Sequence, residues 1–108
     1  MAACVLKVTR EASGLHTVYR LRVDPFDEVL GEAVVSEGSG GIRLHGIFVK
    51  PEHRGRGYGT TLMEAVLSLG ETKAITLCTG LGNVPFFKRF GFEVTDIGDS
   101  LVSMEKRL

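Results

Sequence analysis

Residues 49–59 read Val49-Lys-Pro-Glu-His-Arg54-Gly-Arg-Gly57-Tyr-Gly59, a glycine- and arginine-rich turn set between a strand-like run and a helix-like run. Three glycines at alternate positions, Gly55, Gly57 and Gly59, remove the side chains that would hold an anion away from the backbone. They also permit the positive φ at which successive N–H groups converge on one point. A following helix directs its positive end at the same point, and Arg54 and Arg56 add charge with fork geometry suited to phosphate. The stretch reads as a loop for a pyrophosphate.

Upstream of the loop, Ile42 to Val49 reads as a fourth strand, apolar on both faces toward its end, as in a central strand covered on both sides. Before it come alternating runs at Val5 to Thr9, Thr17 to Val23 and Val29 to Ser36. Turn signals at Asp24-Pro25-Phe26-Asp27 and at Glu37 to Gly41 separate the later runs, so the sheet begins antiparallel. Downstream, Thr60 to Leu69 places Leu62, Val66 and Leu69 at i, i+4, i+7 with Met63 and Leu67 beside them, a helix stopped by Gly70. Ala74 to Thr79 is a fifth strand, and Asn83 to Phe90 a short helix with Pro85 in its first turn. Phe92 to Thr95 and Leu101 to Lys106 close the order, joined around Gly98-Asp99. The expected class is α/β, a mixed sheet of six to seven strands with two main helices.

The chain has 108 residues, read as one domain over 1–108. Its 13 basic and 13 acidic residues cancel, so no global field draws it to nucleic acid or to an anionic membrane. Cys4 and Cys78 make no disulfide framework, no Cys or His spacing resembles a metal site, and a reducing, cytoplasmic setting is expected. The run Ala2 to Leu6 is too short for a signal-peptide core, and nothing approaches the roughly 20 apolar residues of a membrane helix.

Rival phosphate motifs fit less well. A Walker loop needs a Lys after its last glycine, and Tyr58 and Thr60 flank Gly59 instead. A dinucleotide fingerprint follows the first strand of a parallel unit, whereas this loop follows a fourth strand. Arg54-Gly-Arg-Gly57-Tyr-Gly59 does fit Arg/Gln-x-x-Gly-x-Gly/Ala, preceded by strand-Val-x-Pro. It resembles the acetyl-coenzyme A signature of the GCN5-related N-acetyltransferases, the GNAT family. Asn83 followed by Phe86-Phe87-Lys88-Arg89-Phe90-Gly91-Phe92 resembles that family's second landmark. The resemblance is strongest from Ile42 to Phe92.

The resemblance implies acetyl-coenzyme A as co-substrate, no metal, and a primary amine as acceptor on a small molecule, peptide or protein. It implies that strands four and five splay apart, and that the backbone of Ile47, Phe48 and Val49 pairs with the pantetheine arm like an added strand. Amides from Arg54, Gly55, Arg56, Gly57, Tyr58, Gly59 and Thr60 would cradle the pyrophosphate. Asn83 would bond the pantetheine arm and Phe86 line the slot; read from the residues alone, Asn83 serves equally as a helix N-cap.

Many family members carry a Glu base on the fourth strand, where this chain has Arg43, which is always protonated. Two residues on stands His45, and Leu44 to Val49 resembles the histidine-bearing strand of the serotonin N-acetyltransferase branch, in which histidine takes the amine's proton through water. An imidazole can do so near neutral pH, or it can simply pack on the sheet. His16 and His53 read as surface residues, one in a polar turn and one in the loop. The family's Tyr general acid is replaced by Phe87, Tyr58 belongs to the loop, and Cys78 and Thr79 read first as a buried small residue and a strand residue. The family's helices between the first two strands have no room between Arg10 and His16, which leaves the acceptor side open or completed by another subunit or partner, a homodimer being one such arrangement. Glu28, Glu32 and Glu37 could attract a cationic acceptor. The contrasting reading is a coenzyme A-sensing module with little turnover.

Overall fold

The computed structural model describes residues 5–24, 28–38, 40–69 and 73–107. Seven strands form one sheet: β1 (Val5–Ser13), β2 (His16–Asp24), β3 (Glu28–Gly38), β4 (Gly41–Val49), β5 (Ile75–Thr79), β6 (Glu93–Ile97) and β7 (Val102–Lys106). Helices α1 (Tyr58–Leu69) and α2 (Val84–Lys88) connect β4 to β5 and β5 to β6. Single 3-10 turns at Pro51–His53 and Leu81–Asn83 precede them. The sequence-based order of elements holds throughout. Cys4, the Pro25-Phe26-Asp27 part of the first turn, and Gly70 lie outside the described residues.

The strand order is β1-β2-β3-β4-β5-β7-β6. β4 and β5 pair in parallel, and every other neighbouring pair is antiparallel. Ser13 pairs with His16, so only Gly14-Leu15 separates β1 from β2, and the connection has no room for helices. Two crossovers in one direction, β4-α1-β5 and β5-α2-β6, put both helices on the same face by the right-handed rule. The core confirms this, since Leu62, Met63 and Val66 of α1 and Val84 and Phe87 of α2 join one cluster with Leu21, Ala33, Val35, Ile42, Leu44, Ile75, Leu77 and Met104. Truncating a fully buried member such as Leu62 to alanine costs about 2–5 kcal/mol.

The other face is polar, and no helix covers it among the described residues. Arg20 bonds Glu11 and Glu32, Arg22 bonds Thr9 and Glu11, and all of these side chains project from that face by strand alternation. The expectation that β4 is covered on both faces is therefore corrected. Ile42 and Leu44 are buried under the helices while Arg43 and His45 are exposed, as in antiparallel sheets with one solvated face.

Two irregularities shape the sheet around β4. Val34 pairs with Gly46 and Val35 with Leu44, which leaves His45 as the extra residue of a β-bulge. The bulge inverts the alternation, so that Ile47 and Val49, rather than Gly46 and Phe48, pack toward the core. At the far end β3 comes so close to β4 that a Cβ on Gly31 would lie 2.6 Å from the Phe48 carbonyl oxygen. Only glycine fits there without displacing the backbone.

Candidate active site

The ladder between β4 and β5 runs through Ile42–Ile75, Arg43–Thr76 and Leu44–Leu77 and then ends. Both strands continue beyond it, β4 to Val49 held by β3 and β5 to Thr79 held by β7. They part at the bulge, and a groove of about 530 Å³ opens there. Leu77, Thr79 and Phe87 reach it from the helical face and His45 and Cys78 from the polar face, so the groove passes through the sheet. The splayed sheet read from the resemblance is thus present in the geometry.

Helix α1 begins at Tyr58, two residues before the Thr60 expected from periodicity, and its first turn carries no acidic residue. Gly55 and Gly57 both adopt φ of +81°, and a Cβ on either would meet nothing within 4 Å. The space in front of their backbone is therefore open to a ligand, and the helix N-terminus lies directly behind it. An open, glycine-lined space at a helix N-terminus has the room and polarity that a phosphate-type anion requires. Arg54, Gly55, Gly57, Tyr58, Gly59 and Thr60 all line the groove, as do Ile47, Phe48 and Val49. Arg56 alone among the expected loop residues does not line it, and its side chain is exposed.

The Arg54 guanidinium does not extend freely. Its Nε–H donates to the Val49 carbonyl at 3.0 Å and its plane lies over Phe48, 5.5 Å from the ring centroid. These contacts restrain the guanidinium at the edge of the groove and leave its Nη groups outside the Val49 hydrogen bond. Arg89 lies over Phe86 at 5.6 Å and also lines the groove, a cation that sequence reasoning missed. Its position three residues after Phe86, one turn along the short second helix, was the available signal.

Asn83 stands at the N-cap of α2, yet its side chain makes no capping bond and is exposed in the groove. Of the two uses expected for it, capping is the one the geometry leaves out. Phe86 lines the groove and packs edge-on to Phe87 and Phe90, and Phe87, 5% exposed, packs on Phe92.

The bulge presents His45 on the polar face, with its Nε2 2.7 Å from Ser36 Oγ. The His16 ring meets it edge-on, centroids 4.6 Å apart. Partial desolvation by these neighbours first, then His16 and Arg43, hold the His45 pKa below its ordinary value, which favours the neutral ring. His16 is exposed as expected, but it begins β2 and touches His45. His53 departs further from the surface reading: it is half-buried, its Nε2 3.3 Å from Glu28 Oε1 and its buried Nδ1 without a hydrogen-bond partner among the described residues.

Cys78 overturns its sequence-based reading. It is exposed, and Arg43 Nη2–H donates to its Sγ at 3.2 Å while Ser103 Oγ lies 3.4 Å away. The Ser103 bond first, then Arg43, draws the thiol's pKa below its ordinary value. Thr79 is buried beside it. The three glutamates read as a lure for a cationic acceptor each have a partner already: Glu28 meets the His53 ring, Glu32 pairs with Arg20, and Glu37 lies 4.0 Å from Lys73.

Comparison with known proteins agrees with this geometry. Residues 13–94 match the acetyltransferase (GNAT) domain. An uncharacterized N-acetyltransferase of Methanocaldococcus jannaschii is 34% identical over 71 residues, 60% of this chain and 31% of that protein. The chain thus spans about a third of the length of that curated relative. Among solved structures, a GNAT family acetyltransferase from Elizabethkingia anophelis with acetyl-CoA bound superposes with a TM-score of 0.81 at 14% identity, covering 95% of this chain and 98% of the other. Naa50 of Arabidopsis thaliana, in complex with the bisubstrate analogue CoA-Ac-MVNAL, gives 0.69 at 23% identity over 84% and 72% of the two chains. With a splayed mixed sheet, a glycine loop at a helix N-terminus and a family match over most of its length, this chain belongs to the GNAT acetyltransferase family.

Proposed function

We propose that this chain moves an acetyl group from acetyl-coenzyme A directly to a primary amine. The observation that carries the reading is the parting of β4 from β5 after Leu44 and Leu77, with His45 in the bulge at that point. Acetyl-coenzyme A supplies a thioester already activated toward amines. The backbone of Ile47 and Phe48, freed from β5, offers strand-like hydrogen bonds to its pantetheine arm, and Asn83 stands free to add another. Amides of Gly55 to Thr60, with Arg54 beside them, hold the diphosphate. Backbone N–H groups at the parting oppose the charge that develops on the carbonyl oxygen.

His45 takes the proton that the amine loses as its nitrogen bonds the acetyl carbon and the carbon–sulfur bond breaks. The lowered pKa favours the neutral ring, which is the form that this requires. The departing sulfur takes its proton from water or from Cys78, whose lowered pKa suits it to give one up. The acceptor meets an uncovered sheet face, which favours an amine carried on a peptide or protein terminus over a small amine enclosed on all sides. The peptide-bearing analogue bound by the Arabidopsis protein supports the same class.

A second reading, a module that binds acetyl-coenzyme A with little turnover, is favoured by one observation: Phe87 is buried against Phe92 where the family usually has a tyrosine donor. Calorimetric titration with acetyl-coenzyme A, followed by thiol release on adding peptides with free α-amines and small amines, separates the two. Amine-dependent thiol release, reduced about 10²-fold in His45→Ala, supports the transferase. Binding with no release across the panel supports the second reading, and absence of binding overturns both.

A further inference from the structure

Three side chains from three strands meet on the polar face at the bulge: His16 of β2, Ser36 of β3 and His45 of β4. The bulge brings them together. His45 is the unpaired residue opposite Val34 and Val35, and its Nε2 comes to 2.7 Å from Ser36 Oγ. His16 sets its ring at 70° to the His45 ring, with centroids 4.6 Å apart. One ring nitrogen of His45 is thus engaged, while Nδ1 makes no hydrogen bond among the described residues.

We propose that Ser36 and His16 are positioning residues for His45: Ser36 Oγ accepts a hydrogen bond from Nε2–H, which leaves the Nδ1 lone pair to take the amine's proton, and the His16 ring holds the plane of the imidazole. This rests on the reading of His45 as base. A neutral imidazole has one donor and one acceptor nitrogen, so a partner that fixes the donor also fixes which atom is basic. When Nδ1 gains a proton, the Nε2–H bond to Ser36 becomes charge-assisted and strengthens as the charge develops. Nδ1 then returns that proton to water on the open face, and only N–H bonds have changed.

The titratable and basic side chains facing His45 are His16 from β2 and Arg43 from β4 itself. The Arg43 guanidinium reaches across to Cys78 on β5, and β3 contributes the uncharged Ser36. A second histidine beside the base disfavours protonation of the first, because two imidazolium charges at this distance repel. His16 therefore adds to desolvation in placing the acid limb of activity below that of an isolated histidine.

Imidazole ¹⁵N NMR of the full chain reads the tautomer and titration of His45 without any acceptor. The expected result is a predominant Nε2–H tautomer, lost to a mixture in Ser36→Ala and restored in Ser36→Thr. In His16→Phe, which keeps an aromatic ring in place but removes the imidazole nitrogens, the midpoint should move upward. In parallel, turnover with the fastest acceptor from a panel of free α-amine peptides should fall about 10-fold in kcat for Ser36→Ala with KM for the peptide unchanged, and recover in Ser36→Thr. An Nδ1–H tautomer, or a tautomer and midpoint indifferent to both positions, overturns the proposal. If His45→Ala lowers turnover while Ser36→Ala leaves kcat untouched, the base stands and the positioning role falls. If His45→Ala retains full turnover, the base reading itself fails.

Discussion

Arg43 of β4 donates from Nη2 to the Cys78 sulfur of β5 at 3.2 Å, across the last paired rungs before the two strands part. This contact ties the parting to a thiol whose ionisation Ser103 and Arg43 both favour. Cys78 should therefore react with iodoacetamide faster at pH 7.5 than an unperturbed thiol. Ser103→Ala or Arg43→Ala moves the pH midpoint of alkylation upward and slows the reaction at that pH by roughly two- to tenfold, since more thiolate is partly offset by lower nucleophilicity. Equal rates in all three proteins would show that neither contact governs the thiol.

Gly57→Leu separates the fold from ligand recognition. At φ of +81° the new side chain strains the backbone by about 1–2 kcal/mol but meets no neighbouring atom within 4 Å. Thermal melting should show a modest loss, whereas acetyl-coenzyme A affinity falls by more than roughly tenfold because the side chain occupies the space in front of the amides. Retained affinity would remove the diphosphate from this loop.

Asn83→Ala distinguishes ligand contact from helix capping. The side chain makes no cap bond, so the variant should lose less than about 0.5 kcal/mol of stability, against the ~1 kcal/mol typical of a lost N-cap. Calorimetry should show acetyl-coenzyme A binding weakened several-fold, as expected for one lost hydrogen bond of about 1 kcal/mol. The reverse pattern, an unstable variant with normal affinity, would return Asn83 to a structural role.

The pH profile has a sign that follows from the environment of His45. Burial first, then His16 and Arg43, disfavours the imidazolium, so the neutral base persists to lower pH than for a free histidine. Once the acceptor's own protonation, with an α-amine midpoint of about 8, is divided out, kcat/KM should stay level as pH falls from 7.5 and decline only below the ordinary imidazole midpoint of about 6.5. A decline centred above 6.5 would mean that the titrating base is another group.

Gly31→Ala tests whether the close approach of β3 to β4 sets the groove. The added Cβ would lie 2.6 Å from the Phe48 carbonyl oxygen, so one strand must move, at a cost of about 1–3 kcal/mol. Affinity for acetyl-coenzyme A should fall along with stability, because Phe48 and Val49 line the groove. Chemical denaturation and titration of the same sample would show both losses or neither.

Local chemistry in the chain determined a large part of this protein. Alternating Val, Leu and Thr runs and the Leu62, Met63, Val66 stripe are period signals that neighbours a few residues apart generate, and they gave the element order. The glycine spacing at 55, 57 and 59 was legible for the same reason, since conformational permission is a property of each residue by itself. Tertiary structure alone decided three things. It put both helices on one face, which leaves Arg43 and His45 exposed where the apolar run of β4 suggested coverage on both sides. It inserted His45 as a bulge, a feature of strand pairing with β3 that the β4 sequence does not carry. It also exposed Cys78 and joined it to Arg43 and Ser103, 35 and 25 residues away along the chain. Contacts of that kind depend on register between strands, and register is set by the packing of the whole sheet on its helices.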